Sequence, residues 1–188
     1  MNKVFKKVMA IVAVVALTFS LAACGSSPET KTKLPETFPA FTATDLTGKS
    51  VSSDMFKDNA VTVLNLWFTG CEACVQEMPQ LEKISKELEA KGGKMVGICT
   101  DATDDKMKKE ATDILKKSGA TYTNLSVDND SEAGKFLGTV MAYPTTLLVD
   151  RQGHIVGDAI VGSIDSQEQI DNLMKRVDEI VAKDGGAK

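Results

Sequence analysis

The sequence predicts a single α/β domain: one mixed sheet with helices on both faces. Three observations carry this. Strand-like and helix-like stretches alternate through the middle of the chain. The run Val61-Thr62-Val63-Leu64-Asn65-Leu66-Trp67-Phe68 has strand length and is nearly continuously apolar, as expected of a central strand buried on both faces. Near the end of the chain, two further strand-like segments flank the turn formers Asp150-Arg151-Gln152-Gly153. That hairpin signal makes the sheet mixed rather than all parallel.

The elements follow in order. Residues 38–44 read as an early strand and Asp45-Leu46-Thr47-Gly48-Lys49 as a turn. After the apolar strand, residues 72–90 read as a helix, because Cys74, Val75, Met78, Leu81, Ile84 and Leu88 recur at three- and four-residue spacing. Pro79 falls inside that pattern and predicts a kink, and Gly92-Gly93 predicts the stop. Residues 94–100 read as the next strand. Residues 104–118 read as a helix with Met107, Ala111, Ile114 and Leu115 on one face and Gly119 behind it. A strand over 122–127 and a short helix over 131–137 follow, with Ser131 as N-cap. The hairpin strands are placed at 145–149 and 155–160. The last helix, 167–182, opens on a capping box of Ser166 and Gln169 and carries the apolar stripe Ile170, Leu173, Met174, Val177, Ile180 and Val181. There is no internal repeat and no sign of a second domain.

The N-terminus has a different character. Lys3, Lys6 and Lys7 precede an uncharged stretch from Val8 to Ala23 that is too short for a comfortable membrane span of about 20 residues. Basic patch, apolar core and small-residue ending together read as a secretory signal peptide over residues 1–23. Leu21-Ala22-Ala23-Cys24 resembles a bacterial lipobox, which implies lipidation of Cys24. Residues 24–35 then read as a tether, rich in Ser, Thr, Pro and charge, with a reach on the order of 15–20 Å. The folded domain is expected over 36–183, followed by a tail at 184–188.

Without its leader the chain keeps 165 residues, enough for one domain with a real core. It then carries 19 basic against 26 acidic groups, a net charge of −7. A mildly acidic surface with interspersed charges argues against a nucleic-acid partner. The four cysteines divide by role: Cys24 as lipid site, Cys71 and Cys74 as a pair, and Cys99 as an apolar filler inside the strand-like Met95-Val96-Gly97-Ile98-Cys99.

Cys71-Glu72-Ala73-Cys74 is where chemistry concentrates. It lies just after the buried strand and opens the following helix. A helix N-terminus offers unpaired N–H groups and partial positive charge, which stabilise a thiolate, the form of cysteine that attacks disulfides. A second cysteine three residues on shares the helix face and can resolve the mixed disulfide.

Strand, C-x-x-C helix with an internal Pro, then Tyr143-Pro144-Thr145-Thr146 before a hairpin: this succession resembles the thioredoxin fold, and within it the TlpA/ResA-like thiol–disulfide oxidoreductases. The resemblance covers about residues 36–182 and includes a strand–helix insertion near 101–130. Its most specific pieces are Asn65-Leu66-Trp67, the C-x-x-C, Glu77-Met78-Pro79, Pro144-Thr145-Thr146, and Asp150 with Gly153. It implies that Cys71 is the exposed attacking thiolate and Cys74 the resolving thiol, joined as a redox disulfide. It also implies that Pro144 is a cis proline, leaving the backbone of Tyr143 free to pair with an extended substrate segment, with Trp67, Tyr143 and Pro144 as the substrate-binding residues. Glu77 matches a glutamate that modulates thiol protonation. Asn65 stands where many thioredoxins carry a titratable Asp, which makes Glu77 the candidate base. Gly70 and Ala73 depart from the Trp and Pro that are frequent at those positions.

The resemblance further implies disulfide-containing exported proteins as substrates, such as apocytochrome c or a methionine sulfoxide reductase. The implied electron donor is a membrane protein of the CcdA/DsbD type. No cofactor or metal is expected, and a monomer is the default. The expected location is extracytoplasmic, on a membrane through the lipid. Four alternatives remain open at this level. A disulfide-forming oxidase uses the same chemistry in reverse. A peroxiredoxin-like peroxidase wants a Thr where Phe68 stands. A metal protein would need more ligands than one C-x-x-C and the lone His154 supply. A purely structural disulfide is the fourth.

Overall fold

The computed structural model describes residues 34–185. Its strands are β1 (Thr42–Asp45), β2 (Ser50–Ser52), β3 (Val61–Trp67), β4 (Gly93–Cys99), β5 (Thr123–Ser126), β6 (Thr145–Asp150) and β7 (Ile160–Val161). Its α-helices are α1 (Glu72–Ala90), α2 (Asp105–Ser118), α3 (Glu132–Leu137) and α4 (Gln167–Lys183), and a 3-10 helix spans Ser53–Asp58. One seven-stranded sheet runs in the order β2-β1-β5-β4-β3-β6-β7. The central trio β5-β4-β3 is parallel, and β1 and β6 flank it antiparallel. The predicted mixed sheet is present, and the predicted insertion supplies α2 and β5.

β3 sits in the middle and all seven of its residues are buried. Its odd positions Val61 and Val63 pack with Leu81, Ile84 and Leu88 of α1 and Leu173, Val177 and Ile180 of α4. Its even positions Leu64 and Leu66 face the opposite layer, with Val96, Ile98, Leu125 and Leu147. Each fully buried aliphatic side chain of this kind contributes about 1.5–3 kcal/mol. That second layer has little helix. α3 covers part of it, and an aromatic group covers the rest: Phe38 meets Phe41, Phe56 and Phe136 edge-on at centroid distances of 5.8, 5.9 and 5.5 Å.

The helix ends follow local chemistry. Asp104 caps α2, Ser131 caps α3, and Ser166 with Gln169 forms the predicted capping box of α4. α1 passes through Pro79 without interruption and gives way to Gly92, whose φ of 78° suits a residue without Cβ.

Two expectations are corrected, and one stretch holds elements that were not expected. The early strand is shorter and later than 38–44, because Phe38 and Phe41 turn into the aromatic layer; only Thr37 makes a bridge, to His154. β2 and the 3-10 helix lie in a stretch whose pattern marked neither. The strand expected over 155–160 shrinks to Ile160–Val161, with one isolated bridge from Ile155 to Val149. The cause is Gly157 at φ 73°, where the chain leaves the sheet, while Arg176 of α4 takes over the carbonyls of Val156 and Asp158 at 2.9 and 2.8 Å.

Candidate active site

β3 ends at Trp67, and the turn Phe68-Thr69-Gly70 carries the chain to Cys71, the N-cap of α1. The cap residue has extended backbone (φ −89°, ψ 97°), and its Sγ accepts from the Cys74 N–H at 3.2 Å. Cys71 and Cys74 form a disulfide, with S–S 2.07 Å and Cα–Cα 5.3 Å. A sulfur in the N-cap position takes the place of a capping oxygen, so the orphan N–H groups and the helix dipole act directly on it. Cys71 keeps 7% of its surface and Cys74 none. The expectation of an exposed Cys71 is therefore corrected in degree: it is the reachable one of the two, but nearly covered.

Around the pair is an apolar cluster of Trp67, Met78, Cys99, Ala102, Ala111 and Leu115, which brings α2 against the base of the site. Trp67 is wholly buried, and its indole N–H donates to Asn124 Oδ1 at 2.8 Å. This corrects the expected substrate contact: Trp67 is the floor under the disulfide and offers nothing to a substrate. Asn124 was invisible in the sequence. It is held in turn by donating to the Tyr122 carbonyl at 3.0 Å, and it fits because residue 97 is glycine; a Cβ there would stand 1.9 Å from its Oδ1.

On the open side, the Tyr143–Pro144 peptide is cis, as the resemblance implies. Tyr143 is half-buried and meets Phe68 edge-on at 5.3 Å. The Pro144 carbonyl accepts from Gly162 N–H at 2.9 Å, which ties this loop to β7. The two large apolar side chains left exposed among the described residues flank the same loop: Met141 at 90% and Val161 at 64%.

Glu77 lies one turn beyond Cys74 in α1 and is 1% exposed, so it is no solvated helix glutamate. Its Oε1 accepts from Asn65 Nδ2 at 2.9 Å and its Oε2 from the Ile164 N–H at 2.7 Å. Burial pushes this carboxyl above the usual glutamate range; the two hydrogen bonds oppose that shift and nearby Asp165 adds to it. Asn65 also donates to Thr146 Oγ1 at 3.3 Å, while its own Oδ1 is buried with no hydrogen-bond partner among the described residues.

Cys99 is a free, buried thiol beside Trp67 in the sheet register. Burial, with the adjacent Asp101 carboxylate, raises it far above the usual thiol range. No group of three or more His, Cys, Asp and Glu among the described residues could hold a metal ion, and His154 faces Asp150 at 3.1 Å in the hairpin turn. Cys24, the expected lipid site, lies outside the described residues. No helix among the described residues is long and apolar enough to cross a membrane.

Comparison with known proteins agrees with this geometry. The Redoxin family matches residues 33–174. Thiol-disulfide oxidoreductase ResA of Bacillus cereus is 27% identical over 173 residues, covering 92% of this chain and 95% of its own. Thiol:disulfide interchange protein DsbE of Allochromatium vinosum is 31% identical over 144 residues, covering 73% of this chain and 74% of its own. Among solved structures, the thioredoxin domain of a thiol-disulfide oxidoreductase from Bacteroides vulgatus superposes with a TM-score of 0.61 at 26% identity, over 77% of this chain and 98% of that one. With a family match across most of its length and a C-x-x-C disulfide at the start of α1, the chain belongs to the Redoxin family, as a thioredoxin-fold thiol–disulfide oxidoreductase of the ResA/DsbE type.

Proposed function

We propose that this enzyme works outside the cytoplasm, tethered to a membrane through Cys24, and reduces disulfides of exported proteins. One observation carries the catalytic part: the more reachable sulfur of the pair, that of Cys71, caps α1 in a cluster against which Tyr143 packs. In the reduced enzyme the Cys71 thiolate attacks one sulfur of a substrate disulfide. A mixed disulfide forms, and the first substrate sulfur leaves and takes up a proton. Cys74 then loses its proton and attacks Cys71 Sγ, which expels the second substrate sulfur as a thiol. The substrate gains two electrons and two protons, and the enzyme is left with the Cys71–Cys74 disulfide. A membrane dithiol donor of the CcdA/DsbD type restores it.

Glu77, one turn behind Cys74 and raised by burial, tunes the protonation of the resolving thiol. The substrate segment lies along the Tyr143 backbone, with Met141 and Val161 as apolar contacts in place of Trp67. The signal-like leader and the Ser- and Thr-rich stretch after Cys24 support the tethered location. Apocytochrome c and exported methionine sulfoxide reductase fit the substrate class.

A redox titration of the full chain tests the direction of electron flow. Trp67 fluorescence and the alkylated mass of the Cys71–Cys74 peptide are followed in defined thiol/disulfide buffers. A midpoint of about −250 mV or lower supports the reductase; one of about −120 mV turns the enzyme into a disulfide donor. Failure to cycle at all would leave the disulfide a structural one.

A further inference from the structure

The turn that presents the disulfide, Phe68-Thr69-Gly70-Cys71, is closed by the Cys71 N–H donating to the Phe68 carbonyl at 3.0 Å. Thr69 stands inside this turn, half-buried, and neither of its donors serves the turn itself. Both go to Asp101, 32 residues away and just past the end of β4. The Thr69 N–H lies 3.1 Å from each carboxylate oxygen, and its hydroxyl donates to Oδ2 at 2.6 Å. The buried Cys99 thiol donates to Oδ1 of the same carboxylate at 3.1 Å. Between them, Thr100 bonds the Trp67 carbonyl twice, through its N–H at 2.9 Å and its hydroxyl at 3.2 Å. Residues 99–101 therefore grip residues 67–69 along their whole length. Hydrogen bonds to a charged acceptor are roughly twice as strong as neutral ones, so Asp101 is the firmest part of this grip.

We propose that Asp101 is a positioning residue for thiol–disulfide exchange, holding Cys71 at the N-cap of α1 through Thr69. The proposal rests on the reading of Cys71 as the attacking thiol. In the oxidised enzyme the S–S bond itself restrains Cys71, and the clamp adds little. Once the pair is reduced, nothing covalent keeps the sulfur at the helix end, where the Cys74 N–H and the helix dipole stabilise it. The clamp thus acts selectively on the dithiol form. Loosening it destabilises the Cys71 thiolate, slows its attack and makes the reduction potential more negative, since a less stable dithiol leaves the disulfide harder to reduce.

Thr69→Val and Thr69→Ser test this in the full chain, because neither alters charge and only Ser keeps the hydroxyl. The readouts are iodoacetamide labelling of Cys71 in the reduced protein as a function of pH, and the redox midpoint. Thr69→Val should slow labelling at neutral pH by about threefold to tenfold, the effect of one hydrogen bond, and lower the midpoint; Thr69→Ser should restore both. The Val effect should vanish in an Asp101→Ala background, where the hydroxyl has already lost its acceptor. Equal labelling and midpoint in wild type, Thr69→Val and Thr69→Ser would overturn the proposal, as would an undiminished Val effect without Asp101. If iodoacetamide labels Cys74 before Cys71 in the wild type, the reading of Cys71 as nucleophile falls, and the proposal with it.

Discussion

Cys71 and Cys99 share one apolar cluster, yet their surroundings make opposite chemistry of the same side chain. Cys71 caps a 19-residue helix, with an N–H aimed at its sulfur. Cys99 ends a strand, where its neighbours are apolar side chains and a carboxylate that its thiol bonds as a donor. Cys71 keeps 7% of its surface and Cys99 1%, and burial is the largest cause of the raised Cys99 thiol. The nearest polar groups widen the difference: backbone N–H groups favour a thiolate at Cys71, and a carboxylate favours the thiol at Cys99.

The sharpest way to break this comparison is to remove one sulfur. Cys71→Ser should eliminate catalysed disulfide reduction altogether while leaving the fold intact, as judged by turnover and circular dichroism. A residual rate attributable to Cys74 or Cys99 would contradict the division of roles. Next in size is Gly97→Ala on β4, two residues before Cys99. The added Cβ collides with Asn124 and breaks its bond to Trp67, so denaturant unfolding should show a loss of about 3 kcal/mol, combining overpacking with an unpaired buried polar group.

A smaller, pH-dependent effect is expected at Glu77. Its carboxyl is raised in the folded state, so the unfolded chain ionises first as pH rises. Its favourable contribution is complete below the ordinary glutamate value of about 4.3 and is lost as pH climbs through the higher folded value. Glu77→Gln cannot ionise, and turning over the Asn65 amide would bring its unpartnered oxygen to the new Gln side-chain N–H. Relative to wild type, the variant should therefore gain stability progressively from about pH 4 upward, measured by denaturant unfolding at several pH values. The smallest effect belongs to Cys99→Ala. It should cost about 1 kcal/mol of stability and slow exchange by no more than about threefold. In the native wild type, Cys99 should resist alkylation until the chain unfolds.

Much of this was legible because it is local. An unbroken apolar run makes β3 a central strand, three- and four-residue spacing makes α1 and α4, and the caps at Ser131 and Ser166 depend only on residues three positions away. Placing Cys71-x-x-Cys74 at a helix start needs no more than that. The strand after the hairpin was misplaced because its pattern allowed 155–160, while Arg176, some twenty residues on, claims the carbonyls that a ladder would have used.

The surroundings of the pair are a different matter. Trp67 reaches Asn124 across 57 residues, Glu77 reaches the Ile164 N–H across 87, and Thr69 reaches Asp101 across 32. Composition and periodicity say which side chains are apolar and which way an element turns its face; they are blind to which polar group will stand opposite a given one. Short-range patterning was enough for the fold class and for the two sulfurs that react. The burial of Glu77, the removal of Trp67 from the substrate's reach, and the anchoring of the reactive turn by Asp101 came only with chain folding. Each depends on a hydrogen bond between segments distant in sequence, whose meeting the packing of the sheet and helices decides.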